Sequence, residues 1–378
     1  MIKSSRSQLL LLIVSLIPYA ILSFYSYAFV DRNLILSAHP LFWSFQEWIW
    51  RIGFEQRQLA TVAIGILLGS TFLSYWVALK KLNQRLKRWY FAGAVFALTF
   101  AYPLFSHDMF NYIFNARMVI QYQENPHVTT ALEFPEDDWT RFMHNTHTSA
   151  PYGYGWTALS LPQYIVGFEK FLPTYLAFKL FASGAFVLMV YVLGRLLTAL
   201  KLNKNLVWLV ALHPLLLIEL VGNAHNDGAM MSLALLSILL ISQHKNIRAL
   251  LILLVSISIK YVTVLLFPLL ILWKRIQSKP ALYDRWPDVI SLGLLLPLLI
   301  PRSQWFHPWY LSWALVFYPL VKSKILRAVL VGLSVSAMFR YLPLFWIGEF
   351  TSEVVMTQIL ITWFCGGILA LIWYTMKR

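Results

Sequence analysis

Long apolar segments of bilayer length are the feature that most constrains this chain. The first of them, residues 9–30, has about the 20 residues that one helical crossing requires. It is longer than the core of a signal peptide and no clear small-residue cleavage site follows it, so we predict a retained first span. Only 12% of the residues are charged, about half the share in a soluble domain. Because backbone polar groups in lipid must be satisfied internally, the sequence predicts an all-α polytopic membrane protein.

The basic residues predict how these spans are oriented. The net charge of +15 would suit a nucleic-acid partner, but Lys and Arg lie in short clusters between apolar segments, for example at residues 80–88 and 322–327. Such clusters mark cytoplasmic loops, so no nucleic-acid partner is expected. The pattern predicts about ten transmembrane helices with both termini in the cytoplasm, in the plasma membrane if the source is bacterial. The whole chain, residues 1–378, is expected to form one domain.

Residues 250–273 form an apolar segment with basic residues on both flanks and Lys260 near its middle. A lysine at the centre of a plain span is costly and rare. Two short half-helices that meet at Lys260 would return the chain to the cytoplasmic side, so we predict a re-entrant hairpin covered by protein. A single crossing is the alternative.

Two long segments, residues 31–58 and 106–171, fall on the predicted outer side and are expected to cap an active site. The first mixes aromatic and charged residues in a way typical of an interfacial amphipathic helix. The second opens at Asp108, a carboxylate at a membrane–water boundary, where a charge is expensive unless it is used.

Asp108 heads a polar helix face. Its helical spacing places Asn111, Tyr112 and Asn115 on the same side. A carboxylate among amides and a phenol can take a proton from a sugar hydroxyl while the amides hold the neighbouring hydroxyls. The alternative is an ordinary helix start in which Ser106 or Asp108 acts as the cap.

Other polar residues on the outer side are candidate substrate-binding groups. They are Arg117, His225, Asn226, Asp227, Lys260, Arg302, His307 and Tyr310. The cations among them suit a lipid phosphate, because a guanidinium such as that of Arg302 donates two parallel hydrogen bonds. Alternatives stay open: a surface ion pair for Arg117, a solvated turn for residues 223–227, and an aromatic belt with a snorkelling arginine around Arg302.

Several functional classes lack their sequence signals. Cys365 is the single cysteine, so no intrachain disulfide can form. No glycine-rich nucleotide loop or Walker sequence occurs, which argues against a cytosolic nucleotide donor and an ATP-driven pump. His144 and His147 lack a ligand motif, so no zinc site is expected. No cofactor is predicted, and dependence on a divalent metal is left open.

Seven short motifs together resemble a known class of enzymes. They lie at residues 106–112, 116–117, 125–127, 152–156, 222–227, 260–261 and 308–310. Their order resembles the GT-C class of integral-membrane glycosyltransferases, especially the polyprenyl-phosphate-mannose-dependent mannosyltransferases. Asp108 stands where that family has an acidic residue after a span, and Tyr152 opens a stretch similar to its Tyr-Gly-Pro motif. An Asp-x-Asp pair is missing and Tyr154 replaces the usual proline, which bears on sugar choice and metal dependence.

The resemblance implies a GT-C-like fold and transfer of a sugar, with mannose the favoured one. The expected donor is a polyprenyl-phosphate sugar, the acceptor is a glycan or glycolipid hydroxyl, and membrane lipids surround the protein. Asp108 would act as base on the outer face, and direct displacement would invert the anomeric centre. Lys260, Arg302 and His307 would hold the donor phosphate, because cations stabilise the departing charge. The alternative is a transporter or flippase of lipid-linked sugars or polyprenyl phosphate, although repeated halves are not evident.

Overall fold

The computed structural model describes residues 5–30, 34, 36–299 and 306–377. Every regular element in these ranges is a helix and none is a strand, which confirms the predicted all-α class. The α-helices, labelled in chain order, are α1 (Ser5–Tyr25), α2 (Pro40–Trp50), α3 (Arg57–Lys81), α4 (Gln84–Thr99), α5 (Asp108–Gln121), α6 (Tyr154–Val166), α7 (Phe171–Ala199), α8 (Trp208–Ala211), α9 (Pro214–Leu217), α10 (Asp227–Ser242), α11 (Asn246–Ile259), α12 (Phe267–Ser278), α13 (Pro280–Leu295), α14 (Leu311–Leu315), α15 (Lys324–Phe339), α16 (Leu342–Ile347), α17 (Ser352–Ile359) and α18 (Gly366–Met376).

Six helical segments of the described chain are long and apolar enough to cross a membrane. They are Arg6–Phe29, Arg57–Lys81, Phe171–Ala199, Tyr261–Ser278, Lys324–Ile347 and Ser352–Met376. A seventh candidate is a pair of helical segments, Lys204–Ala211 and Pro214–Gly222, bent by 63°. The chain is thus a multi-pass membrane protein. The count of ten stays a prediction, because the apolar helices α10 and α11 have 16 and 14 residues and a straight crossing needs about 20.

The helix is interrupted at Lys260, as the sequence predicts. Helix α11 ends one residue earlier, Lys260 itself is extended, and a 3₁₀ segment, Tyr261–Leu266, leads into α12. The hydroxyl of Ser256 donates to that of Thr263 at 3.1 Å and ties the two sides of the break together. Helices α11 and α12 contact each other, as the arms of a hairpin do. The return to the same membrane side stays a prediction, since residues 261–278 are long enough to cross alone.

A buried lysine in α7 holds the ends of two other helical segments. The ammonium of Lys179 donates to the carbonyls of Leu98 at 3.1 Å, Val221 at 2.9 Å and Gly222 at 2.5 Å. The last carbonyls of a helix lack intrahelical donors, and an ammonium group supplies three. The end of α4 and the end of the π-helical segment Ile218–Gly222 therefore meet at the Lys179 ammonium, next to the buried polar residue Asn223.

The segment at residues 31–58 contains the helix that the sequence predicts there. Helix α2 continues into a π-helical segment, Arg51–Glu55. It buries Ile49 against the protein and exposes the apolar side chains of Leu41 and Trp48. Its position at a membrane interface stays a prediction.

Candidate active site

A cavity of about 240 Å³ lies at the start of α5. Its lining residues are Phe105, Ser106, His107, Asp108, His144, Asn145, His307, Pro308, Trp309, Arg340, Tyr341, Leu344, Phe350 and Gln358. They come from residues 105–145, nearly all of them in the 106–171 segment, and from the chain after residue 305. Of the two segments expected to cap the site, the second therefore lines the cavity, whereas none of the described residues of 31–58 does.

Asp108 is the first residue of α5, and its side chain is 17% exposed at the cavity wall. The backbone N–H of Asp108 donates to the hydroxyl of Ser106 at 3.3 Å, so Ser106 serves the helix start and the Asp108 carboxylate does not. A negative charge at this end of a helix is favoured by the helix dipole. The carboxylate thus lies at the wall of a polar cavity.

The rest of the predicted polar face lies behind that wall. Asn111, Tyr112 and Asn115 are buried and are not among the cavity residues. The ring of Tyr112 packs edge-on against Tyr152 and Trp156, with centroids 4.9 Å apart in both cases. Since the cavity ends at the first turn of α5, later turns of the same face point into the bundle.

Lys260 is paired with Asp227 inside the bundle. Its ammonium lies 2.8 and 2.9 Å from the two carboxylate oxygens of Asp227. The Oδ1 of Asp227 also accepts from the indole N–H of Trp313 at 2.5 Å. The Lys260 side chain is 14% exposed, and the rings of Tyr152 and Tyr310 each lie 5.7 Å from its ammonium. A buried charge is tolerated when it is paired and hydrogen-bonded in this way. Predicted binding residues 227, 260 and 310 thus form one buried cluster.

Two glycines bring the start of α6 against the break at Lys260. The backbone N–H of Gly153 donates to the carbonyl of Ile259 at 2.9 Å. A Cβ at Gly153 would lie 2.0 Å from the Ser258 carbonyl oxygen, and one at Gly155 1.9 Å from the Ser258 hydroxyl, so larger residues cannot fit. This approach places Tyr152 beside Lys260. Burial, and then the charge of Asp108, raises the pKa of Tyr152 well above its usual value, so the phenol keeps its proton.

His225 lies between two carboxylates instead of facing the cavity. It is fully buried, with its Nδ1 3.6 Å from Asp108 Oδ2 and its Nε2 3.4 Å from Glu219 Oε2. Its ring stacks on Trp309 with centroids 3.9 Å apart. Asn226 beside it is equally buried. Neither residue is among those that line the cavity, so the structure does not place these two predicted binding groups at its wall.

His307 lies at the cavity, but as a neutral ring. Burial, followed by repulsion from Arg340, lowers its pKa to about 3. Its ring stacks on the ring of Trp309, with centroids 4.3 Å apart. A neutral imidazole cannot supply the positive charge that the sequence analysis assigned to it. Arg302, the other predicted phosphate ligand, lies outside the described residues.

Arg117 pairs with an acidic residue in the connection between α5 and α6, and not with Asp108. Its Nε donates to Asp137 Oδ2 at 2.5 Å, and the hydroxyl of Tyr122 donates to the same oxygen at 2.6 Å. Burial opposes ionisation of Asp137, but these hydrogen bonds outweigh it and lower the pKa of that carboxyl. Arg117 also lies over the ring of Trp139. Arg117 therefore holds the connection between α5 and α6, residues 122–153, against α5 through an ion pair, and its role in substrate binding stays a prediction.

Arg340 is the cavity cation that was not among the predicted site residues. It is buried, lines the cavity, and donates to the neutral hydroxyl of Thr362 at 3.2 Å. Of the residues the structure describes, no carboxylate lies within ion-pair distance of it. An arginine after the apolar run of α15 is costly in lipid, which is the same signal that singled out Lys260. Within the described ranges, no cluster of three or more His, Cys, Asp or Glu could hold a metal ion.

The helical fold and the polar cavity define an all-α, multi-pass membrane protein with acidic and basic side chains at one site. Comparison with known proteins is more specific. Residues 30–275 match the family described as alpha-(1->6)-mannopyranosyltransferase, N-terminal domain. Since the match covers more than half of the chain, the chain belongs to this family, which confirms the resemblance to mannosyltransferases.

One curated relative matches a shorter stretch. The alpha-(1->6)-mannopyranosyltransferase A of Mycobacterium tuberculosis (strain ATCC 25618 / H37Rv) is 25% identical over 183 residues, which are 47% of this chain and 35% of that protein. The match thus spans about a third of the relative's length. No solved structure matches the chain. The family match includes Asp108, His225, Asp227 and Lys260, whereas Arg340 lies beyond its end.

Proposed function

We propose that the protein transfers mannose from a polyprenyl-phosphate donor to a hydroxyl of a glycan or glycolipid at the outer membrane face. The observation that carries this proposal is that Asp108 and Arg340 line the same cavity. A carboxylate that can take a proton and a cation that can hold a phosphate are the two groups that such a transfer needs. Family membership supports the reaction class.

Arg340 is the proposed donor-phosphate ligand. Its guanidinium is bound to a neutral partner, so its charge is free to meet an anion. Lys260 is already paired with Asp227 and contributes less positive charge to the cavity. A guanidinium presents parallel N–H donors that match phosphate oxygens. The role that the sequence analysis gave to Lys260 and His307 is therefore transferred chiefly to Arg340, with Arg302 as a second candidate.

In the proposed reaction, the acceptor oxygen attacks the anomeric carbon and its proton passes to Asp108. The bond between that carbon and the phosphate oxygen breaks, and the polyprenyl phosphate departs with the bonding electrons. Attack and departure on opposite faces invert the anomeric centre. Negative charge grows on the phosphate as the bond breaks, so a preorganised cation lowers the barrier.

An apolar groove of about 680 Å³ beside the cavity supports a lipid-linked donor. It lies between α3, α16 and α17, and its lining includes Gly65, Leu342, Trp346 and Thr357. The same helices α16 and α17 contribute Leu344 and Gln358 to the cavity. A prenyl chain in this groove would bury apolar surface while its phosphate reached the cavity.

The test is a transfer assay with purified protein and a panel of radiolabelled polyprenyl-phosphate sugars and sugar nucleotides. We expect mannose transfer from the polyprenyl-phosphate donor and none from nucleotide donors. The variant Asp138→Asn is a matched control, because its carboxylate is exposed and pairs only with Arg141 within the described chain. Transfer from a sugar nucleotide alone, or transport of labelled lipid without transfer, would contradict the proposal.

A further inference from the structure

Glu219 is a fully buried carboxylate that the reaction above does not use. Its Oε2 accepts from the side-chain amide of Asn223 at 2.8 Å, and its Oε1 accepts from the hydroxyl of Tyr341 at 2.9 Å. The Asn223 amide oxygen in turn accepts from the backbone N–H of Phe105 at 3.2 Å, three residues before the proposed base. Both donors to Glu219 are neutral. A buried carboxylate held only by neutral groups is costly unless a cation is close.

His225 is the group that links Glu219 to Asp108. Its Nε2 lies 3.4 Å from Glu219 Oε2 and its Nδ1 3.6 Å from Asp108 Oδ2. Stacking on Trp309 fixes the plane of the ring. Among the residues the structure describes, His225 is the one basic side chain within 4 Å of either carboxylate. Contacts of this length in an empty active site commonly shorten when substrate binds.

The two carboxylates favour a doubly protonated ring. A neutral imidazole has one N–H and one lone pair, so one ring nitrogen would point its lone pair at a carboxylate oxygen. An imidazolium has an N–H on each nitrogen and donates to both sides. Neither ring nitrogen makes a hydrogen bond within the described chain, and the two carboxylates are the acidic groups within 4 Å of them.

We infer that Glu219 is a positioning residue for Asp108, because it holds His225 as an imidazolium against the proposed base. This inference rests on the proposed function, in which Asp108 accepts the proton. The imidazolium keeps Asp108 ionised before the acceptor binds and fixes the direction of its carboxylate. The chain Glu219–His225–Asp108 also places one positive charge between two buried negative charges, which lowers the cost of burying them.

Other charged and titratable groups surround this chain. Lys260 is paired with Asp227. Arg340 lies on the cavity side and raises the positive potential there. The neutral ring of His307 also stacks on Trp309. On the Glu219 side the phenol of Tyr341 is a donor, and Tyr152 faces Asp108. No third carboxylate of the described residues lies within 4 Å of His225.

The first test is the pH dependence of kcat/KM for mannose transfer in Glu219→Gln. Loss of the Glu219 charge removes the support for the His225 proton, so Asp108 is protonated more readily. We expect the acid limb of the profile to move up by about one pH unit, which is a tenfold loss at a fixed pH on that limb. The control is Asp288→Asn, which removes a buried carboxylate that binds the backbone of Lys322 and Ser323 and lies outside the cavity lining. Its acid limb should stay in place.

The second test reads the histidine directly, without catalysis. Nitrogen NMR of ¹⁵N-histidine protein should show two protonated ring nitrogens for His225, assigned by the signal lost in His225→Gln. Glu219→Gln should remove one of these protons. If Glu219→Gln does not fold, His225→Gln should itself show the shifted acid limb. If transfer persists, a neutral His225 in the wild type overturns the inference. Unshifted acid limbs in the pH profiles of both variants overturn it as well. Absence of transfer overturns the proposed function instead, and the NMR result still decides the state of the histidine.

Discussion

Lys260 Nζ lies 2.8 and 2.9 Å from the two carboxylate oxygens of Asp227, at the break between α11 and α12. The two residues are 33 positions apart in the chain. The ion pair therefore fastens the broken helical segment to the first residue of α10, directly behind the cavity wall. A lysine that is costly as part of a plain span becomes tolerable as half of a buried pair.

Breaking this pair from one side should be strongly destabilising. Lys260→Met leaves the Asp227 carboxylate buried without its cation, and we expect a loss of about 3–5 kcal/mol in the free energy of unfolding. The double variant Lys260→Met/Asp227→Asn should be more stable than the single one, because no uncompensated charge remains. Thermal unfolding in detergent measures both. Equal stabilities of the two variants would show that the unpaired Asp227 carboxylate carries no cost.

Asp108→Asn should reduce mannose transfer by about two orders of magnitude or more, the usual contribution of a general base. The amide keeps the shape of the side chain and loses its basicity. Because the Ser106 hydroxyl, and not the Asp108 carboxylate, accepts from the first backbone N–H of α5, folding and donor binding should survive. Single-turnover rates and donor binding are the measurements. Wild-type turnover in this variant would remove Asp108 from the mechanism.

Arg340→Ala should raise the apparent KM for the lipid donor and lower kcat together, because phosphate charge grows in the transition state. Arg340→Lys should recover only part of this loss, since an ammonium lacks the planar fork of donors. Steady-state kinetics with varied donor test both. Arg302→Ala is the comparison: a larger effect there than at Arg340 would place the phosphate site at Arg302.

The two ends of the broken segment should face the same side of the membrane. We expect cysteines at Asn246 and Ser278, in a Cys365→Ser background, to be labelled by impermeant reagents only from the cytoplasm. A cysteine at Asn145, beside the cavity, should be labelled only from the outside. Labelling of positions 246 and 278 from opposite sides would establish a single crossing.

The ion pair of Arg117 and Asp137 should make docking of residues 122–153 against α5 dependent on pH. Hydrogen bonds lower the pKa of Asp137, so its contribution to stability is complete above the ordinary aspartate value of about 3.9 and is lost as pH falls through the lowered folded-state value. Asp137→Asn should therefore be less stable than the wild type near pH 7, and the difference should disappear in strong acid. Limited proteolysis and thermal unfolding across pH measure this. A difference that is independent of pH would contradict the assignment.

Some of the site is readable from single residues in an apolar context. The cost of a charge in lipid singles out Asp108 and Lys260. The structure places Asp108 at a cavity wall and Lys260 at the interruption between α11 and α12. The same cost applies to Arg340, which follows a long apolar run. Helical spacing also places Asn111 and Tyr112 on the side of Asp108, but spacing alone does not say how deep in the bundle that side lies.

The sequence by itself determined the membrane class, the helical content, the break at Lys260 and, through the order of its motifs, the family. These follow from hydropathy, basic clusters and short local patterns, each of which depends on neighbouring residues only. Tertiary structure decided the partners. Arg117 bonds to Asp137, 20 positions away, and Tyr341 to Glu219, 122 positions away. Such pairs depend on which helices pack together and at what angle. A charged side chain inside the bundle binds the oppositely charged or polar group that the packing brings within reach.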